Sequence, residues 1–230
     1  MTRTTNARIA GFTYLFYIAV AFPGMVLLGR ATRGEGIAAK LASIAQHAAD
    51  VRLSAVLTVF GGFSALVLAV TLYAITRDVD SDLAMLGFTF RVAEGVAGGL
   101  AIRRPLELLW LATAAGPNAP DAAATHTLGT FLLMGQGPGS GADFFAVGST
   151  FFSYLLLRGR LVPVPLAWLG VVASVLLVVV QPLQLAGFLT GLGWSLWMPM
   201  LVFEVVLALW LLIKGVATPA AQGDRAADGV

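Results

Sequence analysis

Between Arg52 and Arg77 the chain runs LSAVLTVFGGFSALVLAVTLYAIT, 24 residues without a formal charge. At ~1.5 Å per helical residue this stretch exceeds the ~30 Å hydrocarbon core of a bilayer. A soluble helix that long needs a polar stripe, whereas this one shows water only scattered hydroxyls. Comparable apolar runs recur along the chain, so lipid is the solvent to which most of it must be fitted. Charged residues make up 11% of the 230, less than half of what a soluble domain carries.

Six such segments are expected. They cover about 9–28, 53–76, 83–102 with an extension to 111, 128–157, 166–185 and 194–213. The fold class this predicts is all-α: a polytopic membrane helix bundle forming one domain over 1–215, followed by a disordered polar tail at 216–230. The first segment is too long for the apolar region of a signal peptide, and no small-residue cleavage site follows it, so it is expected to be retained as a span. Ile37, Leu41, Ile44 and Ala48 recur at helical spacing in the first connector, which predicts a short amphipathic helix along the membrane surface. The third segment ends at Arg103-Arg104-Pro105, where proline interrupts the hydrogen-bond ladder and arginines favour headgroups. The fourth must pass through MGQGPGSGAD, and its glycines with Pro138 predict a break near 135–141.

Both termini are expected on one side. The connectors after the second and fourth segments carry Arg77, Arg158 and Arg160, and the connector between the fifth and sixth carries no basic residue. That asymmetry places the termini in the cytoplasm, and the arginine-, alanine- and glycine-rich composition points to a bacterial cytoplasmic membrane.

Several chemistries are excluded or disfavoured. No cysteine is present, which removes disulfides and thiolate chemistry. With His47 and His126 as the only histidines, no metal or cofactor is expected. The net charge of +2 and the scattered basic residues exclude nucleic acid as a partner. The expected partners are the lipid bilayer, a small-molecule or proton ligand, and a membrane-protein partner.

Against this apolar background, three ionisable residues stand out. Measured from Leu83, Arg91 lies about 12 Å and Glu94 about 16 Å along the third helix. Gly87, Arg91, Glu94 and Gly98 share one stripe, whose small residues admit a neighbouring helix, so the stripe is expected to face the protein interior. Glu204 stands ten residues from both Trp194 and Lys214, near mid-span of the sixth helix. An unpaired charge at such depth costs about 2.5–3.5 kcal/mol on insertion scales, which favours a cluster of Arg91, Glu94 and Glu204. Two acids face one base, so one carboxyl is expected to keep its proton near neutrality. A protonated carboxyl can be a fixed hydrogen-bond donor or a proton carrier. Two readings follow: a small transporter or sensor that couples protons or a ligand through the cluster, and a non-catalytic structural or partner-binding subunit in which the cluster holds helices in register.

Secondary candidates are Asp143 and His126. GSGAD, ending at Asp143, is one residue longer than the G-x-G-D of intramembrane aspartyl proteases and lacks a second aspartate in an opposing span, so Asp143 is expected to cap a helix after the glycine-rich break. His126 is expected to be a polar residue near the start of the fourth helix. An intramembrane hydrolase would need a histidine beside Ser149 or Ser153, which the sequence does not place. No catalytic residue is assigned.

Arg8-Ile-Ala-Gly11 opening the first helix, Arg52 opening the second, Arg91-Val-Ala-Glu94 in the third, RGRLVP at 158–163, and Glu204 followed by LWLLIKG at 209–215 resemble the bacterial membrane family named domain of unknown function 4386. The resemblance covers about 7–215. It implies a six-helix membrane fold and carries no activity, substrate or cofactor.

Overall fold

The computed structural model describes residues 1–134, 141–189 and 194–217. Its helices are α1 (Arg3–Ala31), α2 (Gly36–Gln46), α3 (Ala48–Thr76), α4 (Ser81–Ala101), α5 (Arg103–Thr113), α6 (Ala122–Met134), α7 (Ala142–Arg158), α8 (Val164–Leu185) and α9 (Met198–Ile213), the last preceded by a 3-10 turn at Trp194–Trp197. The fold is all-α and of the helical membrane class. Among the described residues, five segments are long and apolar enough to cross a bilayer: Arg3–Ala31, Ala48–Thr76, Ser81–Thr113, Val164–Leu185 and Ser195–Ile213. The break expected near 135–141 falls almost wholly outside the described residues, as does most of the polar tail.

The outward faces of these helices are as apolar as their inward faces. In α3, Leu68 and Leu72 are buried, yet Val67 and Val70 beside them are exposed; in α8, Leu177 is buried while Val172, Val175 and Val179 are exposed. Water would penalise that arrangement and hydrocarbon does not. Hydroxyls follow the same logic. Thr58, Ser64, Thr71 and Thr76 of α3 each bond the carbonyl four residues back, at 2.7–2.9 Å, so the helix itself satisfies polar groups that lipid could not.

The chain divides into two compact units. The first comprises Met1–Leu15, Leu66–Ala93 and Asp143–Val230; the second comprises Phe16–Ala65 and Glu94–Ala142. In the first unit, Tyr14, Leu68, Leu72, Phe145, Phe152, Leu156, Phe203 and Leu207 belong to one apolar core. Helices α1 and α9 meet with almost no side chain between them. A Cβ at Gly11 would stand 2.6 Å from the Ala208 carbonyl oxygen and 2.9 Å from the Leu212 amide nitrogen. Helix ends in this unit are tied by charge. Arg3 donates to the Ile75 carbonyl at 2.6 Å, closing the end of α3, and Arg158 reaches Asp80 at 2.7 Å. Asp80 also accepts the Leu83 amide at 3.1 Å, which makes it the N-cap of α4.

In the second unit, α2 packs against α5 and α6. Its Leu41 and Ile44 join Leu108, Leu109 and Leu111 in a separate small core, so the amphipathic face read from the first connector is covered by protein. The third segment restarts at Arg103, which leaves Pro105 in the first turn of α5, where its missing N–H costs nothing. Arg104 turns onto the end of α6, donating to the Leu132 carbonyl at 2.7 Å and the Phe131 carbonyl at 3.3 Å. A cation there answers the partial negative charge of the helix terminus as well as unsatisfied carbonyls.

Candidate functional site

In the first unit the largest fully buried side chain among the described residues is Arg91, with 0% exposure. α4 carries it, and α7 makes its space: a Cβ at Gly148 would lie 3.2 Å from Arg91 Cγ and 3.4 Å from its Cδ. The guanidinium carbon sits 4.9 Å from the Phe145 ring centroid and 5.8 Å from that of Tyr14. Arg91 Nη2 also donates to the Tyr14 hydroxyl at 3.5 Å. A delocalised, weakly hydrated cation tolerates aromatic faces far better than an ammonium would, which accounts for arginine rather than lysine at this position. Phe145 in turn packs on Trp197, 5.9 Å between ring centroids, linking the arginine's surroundings to the start of α9.

Glu204 is buried on α9 in the same unit. Its neighbour Phe203 packs onto α8 at Gly170, close to Ser153 of α7. Three helices therefore meet at Phe203, one residue before Glu204. Glu94 belongs to the second unit and is also buried. There the Tyr17 hydroxyl donates to its Oε1 at 3.3 Å. A Cβ at Gly141 would stand 3.5 Å from Glu94 Cγ, so glycine leaves room on that side. Of the small residues on the α4 stripe, Gly87 lies against the Phe152 ring and Gly95 offers its carbonyl 3.1 Å from the Cβ position of Gly62, whereas Gly98 has no described atom within 4 Å of where its Cβ would be.

The remaining candidates are peripheral. Asp143 is exposed and is the second residue of α7, inside the first turn, where a carboxylate favours the helix dipole. His126 is exposed on α6 in the second unit; Ser149 and Ser153 are buried in the first.

The family model for domain of unknown function 4386 matches residues 9–215. The chain belongs to that family. Searches of curated proteins and of solved structures return no match. The match takes in all five candidate residues and the aromatic groups around Arg91, so the surroundings described above lie within the family domain.

Sequence reasoning passed over Tyr14, Tyr17, Phe145 and Gly148. The tyrosines carried a usable signal, since they stand three apart on one face of an otherwise apolar helix, and a phenol in mid-span needs a partner. Phe145 and Gly148 carried none: in a lipid-facing sequence, phenylalanine and glycine are ordinary at any position.

Proposed function

We propose that this chain is a bacterial cytoplasmic-membrane protein, with both termini in the cytoplasm, that acts in small-solute transport or sensing through a proton-exchanging carboxyl in its membrane interior. Glu94 is the residue assigned that role, and Arg91 and Glu204 are the other buried ionisable groups of the proposed machinery. The observation that carries the reading is the 3.3 Å hydrogen bond from Tyr17 to the buried Glu94. A phenol can donate to a carboxylate or accept from a carboxylic acid, so this partner serves both protonation states without rearrangement. A carboxyl placed so deep is costly to retain, and such groups mark ion and proton pathways in membrane proteins.

The test is infrared difference spectroscopy of the protein in lipid, between acidic and neutral pH. The wild type is expected to show a titrating carboxylic-acid C=O band that disappears in Glu94→Gln, with helical content and melting temperature retained. An unchanged band in a folded Glu94→Gln protein would remove Glu94 from the mechanism. Collapse of the fold in that variant would favour the rival reading, a structural subunit. That rival is supported by the complete burial of Arg91 among aromatic rings.

A further inference from the structure

Three stretches far apart in sequence, Arg8–Gly11, Arg158–Pro163 and Leu209–Gly215, converge at one end of the first unit. Gly11 seats α1 on Ala208 and Leu212 of α9. Two residues past the end of α9, the Cβ position of Gly215 is 3.9 Å from Thr4 Cγ2. Arg8 is four residues from Thr4 and three from Gly11, so it lies on the side of α1 that follows this seam. The segment after α9 then bonds to the turn after α7, with the Ala217 amide donating to the Leu161 carbonyl at 3.0 Å. Arg160 occupies that turn.

Only some of the cations here are matched by acids among the described residues. Arg3 and Arg77 share Asp78, and Arg158 takes Asp80. Arg8, Arg160 and Lys214 are exposed, and no carboxylate among the described residues is within ion-pair reach of them. Arg160 has φ 48°, a left-handed conformation that suits glycine, although glycine occupies the position before it. A side chain kept where the backbone would prefer none points to a use for that side chain. Directly along the same helices from the cations, the surface turns apolar: Phe12 is 63% exposed on α1, and Leu209 and Ile213 are exposed on α9.

We propose that Arg8, Arg160 and Lys214 bind the headgroup phosphate of an anionic phospholipid whose acyl chains lie along Phe12, Leu209 and Ile213. Charge complementarity selects the phosphodiester, and the apolar strip beside the cations selects a lipid over a soluble phosphate. The inference needs the membrane fold but not the proton-exchange role of Glu94, so either can fail alone.

The experiment uses the full chain in detergent, measuring retention of phosphatidylglycerol by native mass spectrometry and thermal shift in parallel. Phosphatidylglycerol is expected to remain bound and to raise the melting temperature, while phosphatidylcholine and soluble glycerol phosphate do neither. Each basic residue near an anionic headgroup contributes enough that a triple Arg8→Gln, Arg160→Gln, Lys214→Gln variant should bind about a hundredfold more weakly. Arg160→Gly, which suits the local backbone, provides a folded variant expected to bind about fivefold more weakly. Removing charge at and just beyond the other end of α1, with Arg30→Gln and Arg33→Gln, should leave retention unchanged. Equal retention of phosphatidylcholine, equal stabilisation by glycerol phosphate, wild-type retention by Arg160→Gly, or equal loss in the Arg30 and Arg33 variant would each overturn the proposal.

Discussion

The guanidinium of Arg91 lies over the Phe145 ring, 4.9 Å from its centroid, in the fully buried part of the first unit. The ring's negative face supplies electrostatic stabilisation that lipid cannot. Phe145→Leu keeps an apolar filler and removes that face, so unfolding in detergent should cost about 0.5–2 kcal/mol less than in the wild type. Gly148→Ala attacks the same arrangement from the other side by pressing a methyl group on the arginine stem, and should destabilise by about 1–3 kcal/mol. Thermal melts of both variants check this.

Two glycines should respond to alanine with opposite signs. At Gly11 the new Cβ meets backbone atoms of α9 that cannot swing away, and a loss of about 1–3 kcal/mol is expected. At Gly98, where no described atom is within 4 Å, alanine restricts the unfolded chain and favours the helix, for a gain of about 0.5–1 kcal/mol. Melting temperatures measured side by side decide it.

Acid should loosen the junction between α3 and α4. The Leu83 amide holds the Asp80 carboxyl below the ordinary aspartate range; loss of hydration works the other way, and the Arg158 guanidinium adds to the lowering. The folded-state value lies below the unfolded value of about 3.9, so the stability contributed by Asp80 is fully present above that pH and is lost as pH falls through the folded value. Melts taken from about pH 7 to about pH 3 should show Asp80→Asn lower than wild type at neutrality, with the two curves converging in acid. Parallel curves would contradict the assignment.

The turn after α7 is closed by the Leu161 amide on the Leu156 carbonyl and the Arg160 amide on the Leu157 carbonyl, a Schellman arrangement with arginine in the left-handed position. Glycine there removes the steric penalty, so Arg160→Gly should raise stability by up to about 1 kcal/mol when no anionic lipid is present. A lower melting temperature would mean that the arginine side chain supports the fold in a way the turn geometry does not show.

The membrane character, the helical class and the family were legible in residue order, because a bilayer imposes length and polarity on every span locally. The burial of Arg91, Glu94 and Glu204 was legible as well, since a charge inside an apolar run is conspicuous wherever the helix packs. Which atoms surround them was not. The room for the arginine stem comes from Gly148, its aromatic cover from Phe145 and Tyr14, and the phenol on Glu94 from Tyr17, each from a helix distant in sequence. The close approach of α1 and α9 at Gly11 likewise was not written in hydropathy. Lipid rewards any apolar side chain facing outward, so hydropathy alone does not say which side of a spanning helix turns inward; packing between helices decides that, and with it the partners of every buried charge.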